Sequence, residues 1–381
     1  MTEPAYPAAR YVADKIQSHF ALHGEAASVD NPIPLQLVPD SAAVESLIDA
    51  AFWTSLRREE QHPPRISLAY VPPELARPSL IFENPLLLSP GSLTKIAPGV
   101  ERPGIHLGVW QFGDQLRVWG ATRLLPSGAC VVETVAPGLI VVKHRLHRES
   151  AKFTNIAVLE GDRVKILDHK FSKLPGCPTM MGPLLGFDFK ITSSTEASNV
   201  LIRLAISMRS HMRGGLLLIV PNENTKWRDS ISHPMSYSVH PPFNGLSELL
   251  RGRARDDNAS NRWQDALTHS VDAIAGLTAI DGATVITGDF DVLAFGAKIL
   301  RRRGSAPVEQ VALVEPIEGS ERQIVHPGEL GGTRHLSAAQ FAFDQRDSLA
   351  FAASQDGPFT IFSWAECEGM VYAYRVESLL L

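Results

Sequence analysis

The sequence has few cysteines, no surplus of basic charge and no long apolar run, and each shortage removes a class of function. Three cysteines in 381 residues, Cys130, Cys177 and Cys367, stand far apart and form no C-x-x-C pair. That argues against a disulfide framework and a structural zinc site, and fits a reducing cytoplasm. Lys and Arg number 36 against 41 Asp and Glu, a net charge of -5, so nothing points to wrapping a long nucleic acid. A small nucleotide remains compatible. The longest apolar run, around Leu216 to Val220, suits a buried strand and falls far short of a membrane span. The opening Met1-Thr2-Glu3-Pro4 has neither a basic n-region nor an apolar h-region, so no signal peptide is expected. The nucleophile-elbow, HExxH, Walker A and Rossmann patterns are also missing; Gly282 to Gly288 lacks the GxGxxG spacing.

What the chain does hold is apolar residue in quantity, 44% against 20% charged. That is enough for full cores, and the length suits two domains. Tyr11 to Ala21 reads as an amphipathic helix. Ser41 caps a second helix, in which Val44, Leu47, Ile48, Ala51 and Phe52 recur at helical spacing, and which runs on through Arg57-Arg58-Glu59-Glu60 to His62-Pro63-Pro64. From Arg65 the texture turns to short β-type runs between Gly, Pro and Asp turns, over 105–110, 116–122, 129–135, 138–144, 153–159 and 163–167. The expectation is an α+β domain with antiparallel strands over residues 1–175, a Pro/Gly-rich linker over 176–194, and a second domain over 195–381 that mixes helices and strands. In that second domain Asn222 to Asn261 reads mostly as loop.

Two stretches of the second domain carry chemistry. Thr278-Ala279-Ile280-Asp281-Gly282-Ala283-Thr284-Val285-Ile286 reads as a buried strand led by a carboxylate and a glycine. Gly331-Gly332-Thr333-Arg334-His335 reads as a glycine turn, a Thr cap and a helix start. A carboxylate can hold a divalent cation, and a helix N-terminus beside an arginine attracts phosphate. Plainer readings stand beside these. Asp-Gly is a common turn, Asp356 before Gly357 fits a hairpin, and Arg301 to Arg303 fit a solvated turn. Basic residues in a first helical turn oppose the dipole unless an anion offsets them, which favours function for Arg334 and His335.

In order along the chain, Gly214-Gly215-Leu216-Leu217-Leu218-Ile219, Asp281-Gly282-Ala283, Gly332-Thr333-Arg334-His335 and Ser354-Gln355-Asp356 resemble the diadenylate cyclase (DAC) family. The resemblance covers roughly residues 195–381, and none of it is visible in the N-terminal half. It implies a DAC-like mixed sheet flanked by helices, and nucleotidyl transfer from a bound nucleoside triphosphate. It implies that Asp281 and Asp356 hold Mg²⁺ or Mn²⁺, that Asp281, Arg334 and His335 serve catalysis, and that Gly282, Ala283, Gly332, Thr333, Arg334, His335 and Ser354 surround the nucleotide. Such chemistry is mostly positioning and charge neutralisation and needs no protein nucleophile. Two departures stand out: Leu336 replaces the family's last arginine, and Gln355-Asp356 replaces two glutamates. One of Arg301 to Arg303 could replace the missing arginine.

Two functions are carried forward. The first is a metal-dependent nucleotidyltransferase that makes a cyclic or linear di- or oligonucleotide signal; relatives of the family suggest bacterial signalling or phage defence. The second is an inactive nucleotide or dinucleotide sensor that regulates an effector protein through the N-terminal domain. A nucleoside triphosphate or dinucleotide is the expected ligand, and a homo-oligomer would bring two sites face to face. Neither a membrane nor a long nucleic acid is an expected partner.

Overall fold

The computed structural model describes residues 5–25, 37–145, 153–168, 193–223, 225–253, 261–355 and 358–381. The expected linker lies outside them except for residues 193 and 194. The chain divides into two compact units, Met1–Leu167 with Leu381, and Asp168–Leu380. Both are α+β, as the sequence implies. Among the described residues no helix is long and apolar enough to cross a membrane.

The first unit is built on eight strands: β1 (Ser67–Tyr70), β2 (Ser79–Leu87), β3 (His106–Phe112), β4 (Gln115–Thr122), β5 (Cys130–Ala136), β6 (Leu139–Arg145), β7 (Phe153–Glu160) and β8 (Arg163–Ile166). They lie in the order β2-β4-β3-β1-β5-β6-β7-β8. The pairs are antiparallel except β1 with β3, so the sheet is mixed and not wholly antiparallel as expected. Alternation along the strands sorts the side chains by face. Leu68, Leu107, Val132 and Val142 join Val12, Ile16, Val44, Leu47 and Ile48 in one core. Ala69, Val71 and Val131 turn the other way and surround Trp119, whose indole N–H donates to the Val71 carbonyl at 2.7 Å.

The helices of this unit are α1 (Pro7–Glu25), α2 (Ser41–Ser55) and α3 (Pro90–Val100). The cap of α2 is Asp40, which accepts from the Ala43 N–H at 2.7 Å, and not the expected Ser41. The helix stops six residues before the expected end at Gln61. Thr54 and Ser55 turn their hydroxyls onto the Ala50 and Phe52 carbonyls, and Glu60 and Gln61 adopt left-handed backbone. The density of Pro and Gly hid α3 from the sequence reading. Ser89 caps it, Pro90 sits in its first turn, and Leu93 and Ala97 are buried.

The second unit holds a nine-stranded sheet: β9 (Gly215–Val220), β10 (Tyr237–Phe243), β11 (Ala283–Thr287), β12 (Val292–Ala297), β13 (Val311–Val314), β14 (Gln323–Val325), β15 (Leu349–Ala353), β16 (Phe359–Ala365) and β17 (Met370–Arg375). Their order is β10-β12-β11-β9-β15-β16-β17-β13-β14. The wholly buried β9 is an interior strand, parallel to β11 and antiparallel to β15. The helices are α4 (Ser193–Ser210), α5 (Gly245–Arg253), α6 (Asn261–Leu277) and α7 (Gly332–Asp344). Ala338, Ala339, Phe341 and Ala342 of α7 pack on the face that carries Leu216, Leu218, Val285 and Ala350. β10 lies in the stretch expected to be loop. Its Pro241 and Pro242 are compatible with a strand because it is an edge strand.

Candidate functional site

Several segments of the second unit end at one edge of its sheet. Because β15 and β12 run against β9 and β11, Gly215 stands opposite Ala353 and Ala283 opposite Ala297. The residues just beyond these, Gly214, Asp281-Gly282, Lys298 and Ser354-Gln355, therefore come to the same edge. Arg334 joins them from the first turn of α7. Gly214 has φ +70°, and a Cβ there would lie 2.8 Å from the Arg334 guanidinium and 3.2 Å from the Ala353 carbonyl oxygen. Gly282 has φ +111°, and a Cβ there would lie 2.7 Å from the Gly296 oxygen and closer still to its carbon. Both positions need glycine for conformation and for space.

Asp281 is the carboxylate of this edge. Its side chain is 86% exposed and forms an ion pair with Lys298, itself 60% exposed. The Lys298 hydrogen bond, then its charge, hold the Asp281 carboxyl below the usual carboxylate range; the charge of Arg334 and the Gly282 N–H add to this. The backbone of Lys298 is fixed. Its carbonyl accepts from the Ser232 N–H at 2.8 Å, Ile299 bridges to Ile231, and the Leu300 N–H donates to the Ser230 carbonyl at 2.9 Å. On the other side the Gln355 amide donates to the Arg213 carbonyl at 3.3 Å. The Arg213 N–H donates to His211 Nδ1, which leaves Nε2 as the donor to Thr278 Oγ1 at 3.2 Å. Burial pushes the His211 pKa down and favours that neutral ring.

The α7 terminus is open. Its N-cap is Gly331, no side chain caps it and no acid lies in its first turn. Thr333, the expected cap, is an exposed first-turn residue, as is Gly332. Such a terminus offers backbone N–H groups and a positive dipole end to an anion. His335 departs from the expected phosphate contact. It is fully buried, with Nδ1 2.8 Å from the Gly331 carbonyl and its ring edge-on to Phe362. Burial lowers its pKa; the Arg375 and Arg334 charges act in the same sense, against the Gly331 carbonyl. Burial thus favours the neutral ring, which holds the glycine turn from inside. Ala283, expected beside the nucleotide, is also fully buried.

Arg301 to Arg303 lie elsewhere. The Arg302 N–H donates to Asp344 at the far end of α7, about 15 Å along the axis from Arg334. That basic turn does not fill the place left by Leu336, which is 38% exposed. Asp356 lies outside the described residues, so its meeting with Asp281 is not described. Among the described residues no group of three or more His, Cys, Asp or Glu could hold a metal ion.

Sequence reasoning missed two features of this edge. The first is the Asp281–Lys298 pair, although strand pairing that puts Ala283 opposite Ala297 carries Lys298 to Gly282. The second is the stacking of Tyr237 on its cross-strand partner Phe295, centroids 4.8 Å apart and planes 7° from parallel. It escaped because β10 had no strand-like pattern.

Comparison with known proteins gives a match for residues 33–123, within the first unit, to a family described as "Probable sensor domain DACNV". This lies in the half where the sequence showed no part of the DAC resemblance, so the likeness is not confined to the C-terminal half. No curated protein matches. Among solved structures, a hypothetical membrane spanning protein from Bacillus cereus is similar at 13% identity, over 47% of this chain and 63% of that one, with a TM-score of 0.24. A double mutant of DacA from Staphylococcus aureus is similar at 14% identity, over 47% of this chain and 85% of that one, also with a TM-score of 0.24. The match thus spans less than two thirds of the Bacillus cereus chain.

Proposed function

We propose that the second unit binds a nucleoside triphosphate at its glycine-lined sheet edge and serves nucleotidyl transfer, and that the first unit is a sensor module that sets its output. The observation that carries this is the convergence of Asp281, Lys298, Arg334 and the uncapped α7 terminus beside backbone that only glycine permits. In this reading Arg334, Lys298 and the first-turn N–H groups neutralise the phosphates and hold them in line. A 3′-oxygen attacks the α-phosphorus, the bond to pyrophosphate breaks, and the hydroxyl proton passes to solvent. The family description of residues 33–123 supports the sensor assignment of the first unit.

A second reading, binding without turnover to regulate an effector protein, is favoured by the engagement of Asp281 with Lys298 and by Leu336. Incubation of the full chain with each NTP and dNTP, with Mg²⁺ or Mn²⁺ and without, separates the two. Pyrophosphate with a new dinucleotide supports transfer. Bound nucleotide recovered intact across the panel overturns transfer in favour of sensing. No retained nucleotide overturns both.

A further inference from the structure

We propose that Lys298 is the built-in counter-cation at these strand ends, so that nucleotide phosphates bind there without a divalent cation. The inference rests on the reading of this surface as a phosphate site and concerns binding, whether or not turnover follows. Lys298 adds a second cation, beside Arg334, to the charge that Asp281 feels. Its ammonium stands on the Asp281 carboxylate, where a metal ion would otherwise have to offset that charge. Its carbonyl and the Leu300 N–H are bonded to the Ser230–Ser232 segment, so the side chain springs from anchored backbone.

The exposure of the pair decides between a structural and a functional part for Lys298. With side chains 60% and 86% exposed, an isolated surface pair adds little to stability. Lys298 therefore gives up little when it turns from Asp281 to a phosphate, and Asp281 can stay in contact as the orienting acceptor. A lysine serves well as a compact point charge on phosphate. The open α7 terminus and Arg334 supply the remaining donors.

The test uses the full chain and inorganic tripolyphosphate, a base-free probe, in equilibrium dialysis with EDTA or with Mg²⁺. The wild-type Kd should be alike in both, and Lys298→Met should weaken binding about tenfold or more in EDTA, with Lys298→Arg restoring most of it. Thermal melting of all three should coincide, since the side chain is exposed. Wild-type binding that vanishes in EDTA, or Lys298→Met binding unchanged there, overturns the proposal. No wild-type binding in either buffer overturns the phosphate-site reading together with it.

Discussion

Replacing Gly282 by alanine should lower the melting transition of the second unit and leave that of the first in place. The backbone there has φ +111°, and the new Cβ would press on the Gly296 carbonyl group across the β11–β12 pair. A non-glycine residue in such a conformation costs about 1–3 kcal/mol. Overpacking adds roughly another 1–3 kcal/mol when the obstacle is backbone and cannot rotate away. The sum, about 2–6 kcal/mol, is a large share of the roughly 5–15 kcal/mol that holds a domain together. At about 2–4 °C per kcal/mol for a unit of this size, the transition should fall by some 5–20 °C. Scanning calorimetry of the full chain reads this if the two units melt separately. Gly304→Ala is the control, because its φ is +84° but no atom lies within 4 Å of the added Cβ; it carries the conformational cost without the collision. A Gly282→Ala transition no lower than that of Gly304→Ala would refute the reasoning. Asp281 is the preceding residue, so the same variant should also weaken tripolyphosphate binding.

The first unit offers a pH prediction of its own. His106 is 4% exposed and within 2.8 Å of the Ser67 hydroxyl. Burial pushes its pKa down to about 4, against the pull of Glu133 and with that of Arg145 and Lys143. The unfolded chain binds the proton first, near pH 6.5, so the contribution of His106 is complete above that value and fades as pH falls to about 4, a loss of about 3 kcal/mol; urea titrations of wild type and His106→Gln should show the variant lacking this slope. Leu336→Arg places a cation at an exposed position at the start of the second turn of α7 and should tighten tripolyphosphate binding about tenfold at low salt without moving the melting curve. Asp344 is 6% exposed and accepts from the Arg302 N–H, the Gln340 amide and the Ser305 hydroxyl. Asp344→Ala should cost roughly 2–4 kcal/mol by orphaning these donors, as a lowered midpoint in the same urea titrations would show, and should leave phosphate affinity unchanged.

Strands with two-residue alternation and clean turns were legible from the sequence: the runs that became β3 to β8 fall within a residue or two of where they were expected. Those elements bury one face on helices and the other on Trp119, so their pattern is strong. Elements whose order comes from their surroundings were not legible. α3 carries Pro90, Gly91, Pro98 and Gly99 and stands because Leu93 and Ala97 are buried. β10 is mostly exposed and proline-bearing and exists as an added edge on β12. The end of α2 was misjudged because Arg57 to Gln61 look helical in composition, whereas the hydroxyls of Thr54 and Ser55 compete for the last carbonyls.

At the candidate site, motifs were legible and side-chain direction was not. The Asp-Gly stretch comes to the strand ends through the register that pairs Ala283 with Ala297, and Arg334 comes beside Gly214 from the start of α7. His335 shows the limit of motif reasoning. One helical position beyond Arg334 rotates a side chain by about 100°, enough to set one residue beside Gly214 and turn the next into the core. Lys298 shows what strand arithmetic adds. An antiparallel partner that meets Ala283 at Ala297 brings residue 298 to residue 282, which puts Lys298 within reach of Asp281. The charge that faces a bound phosphate is then set by the β11–β12 hairpin as much as by the acid that marks the motif.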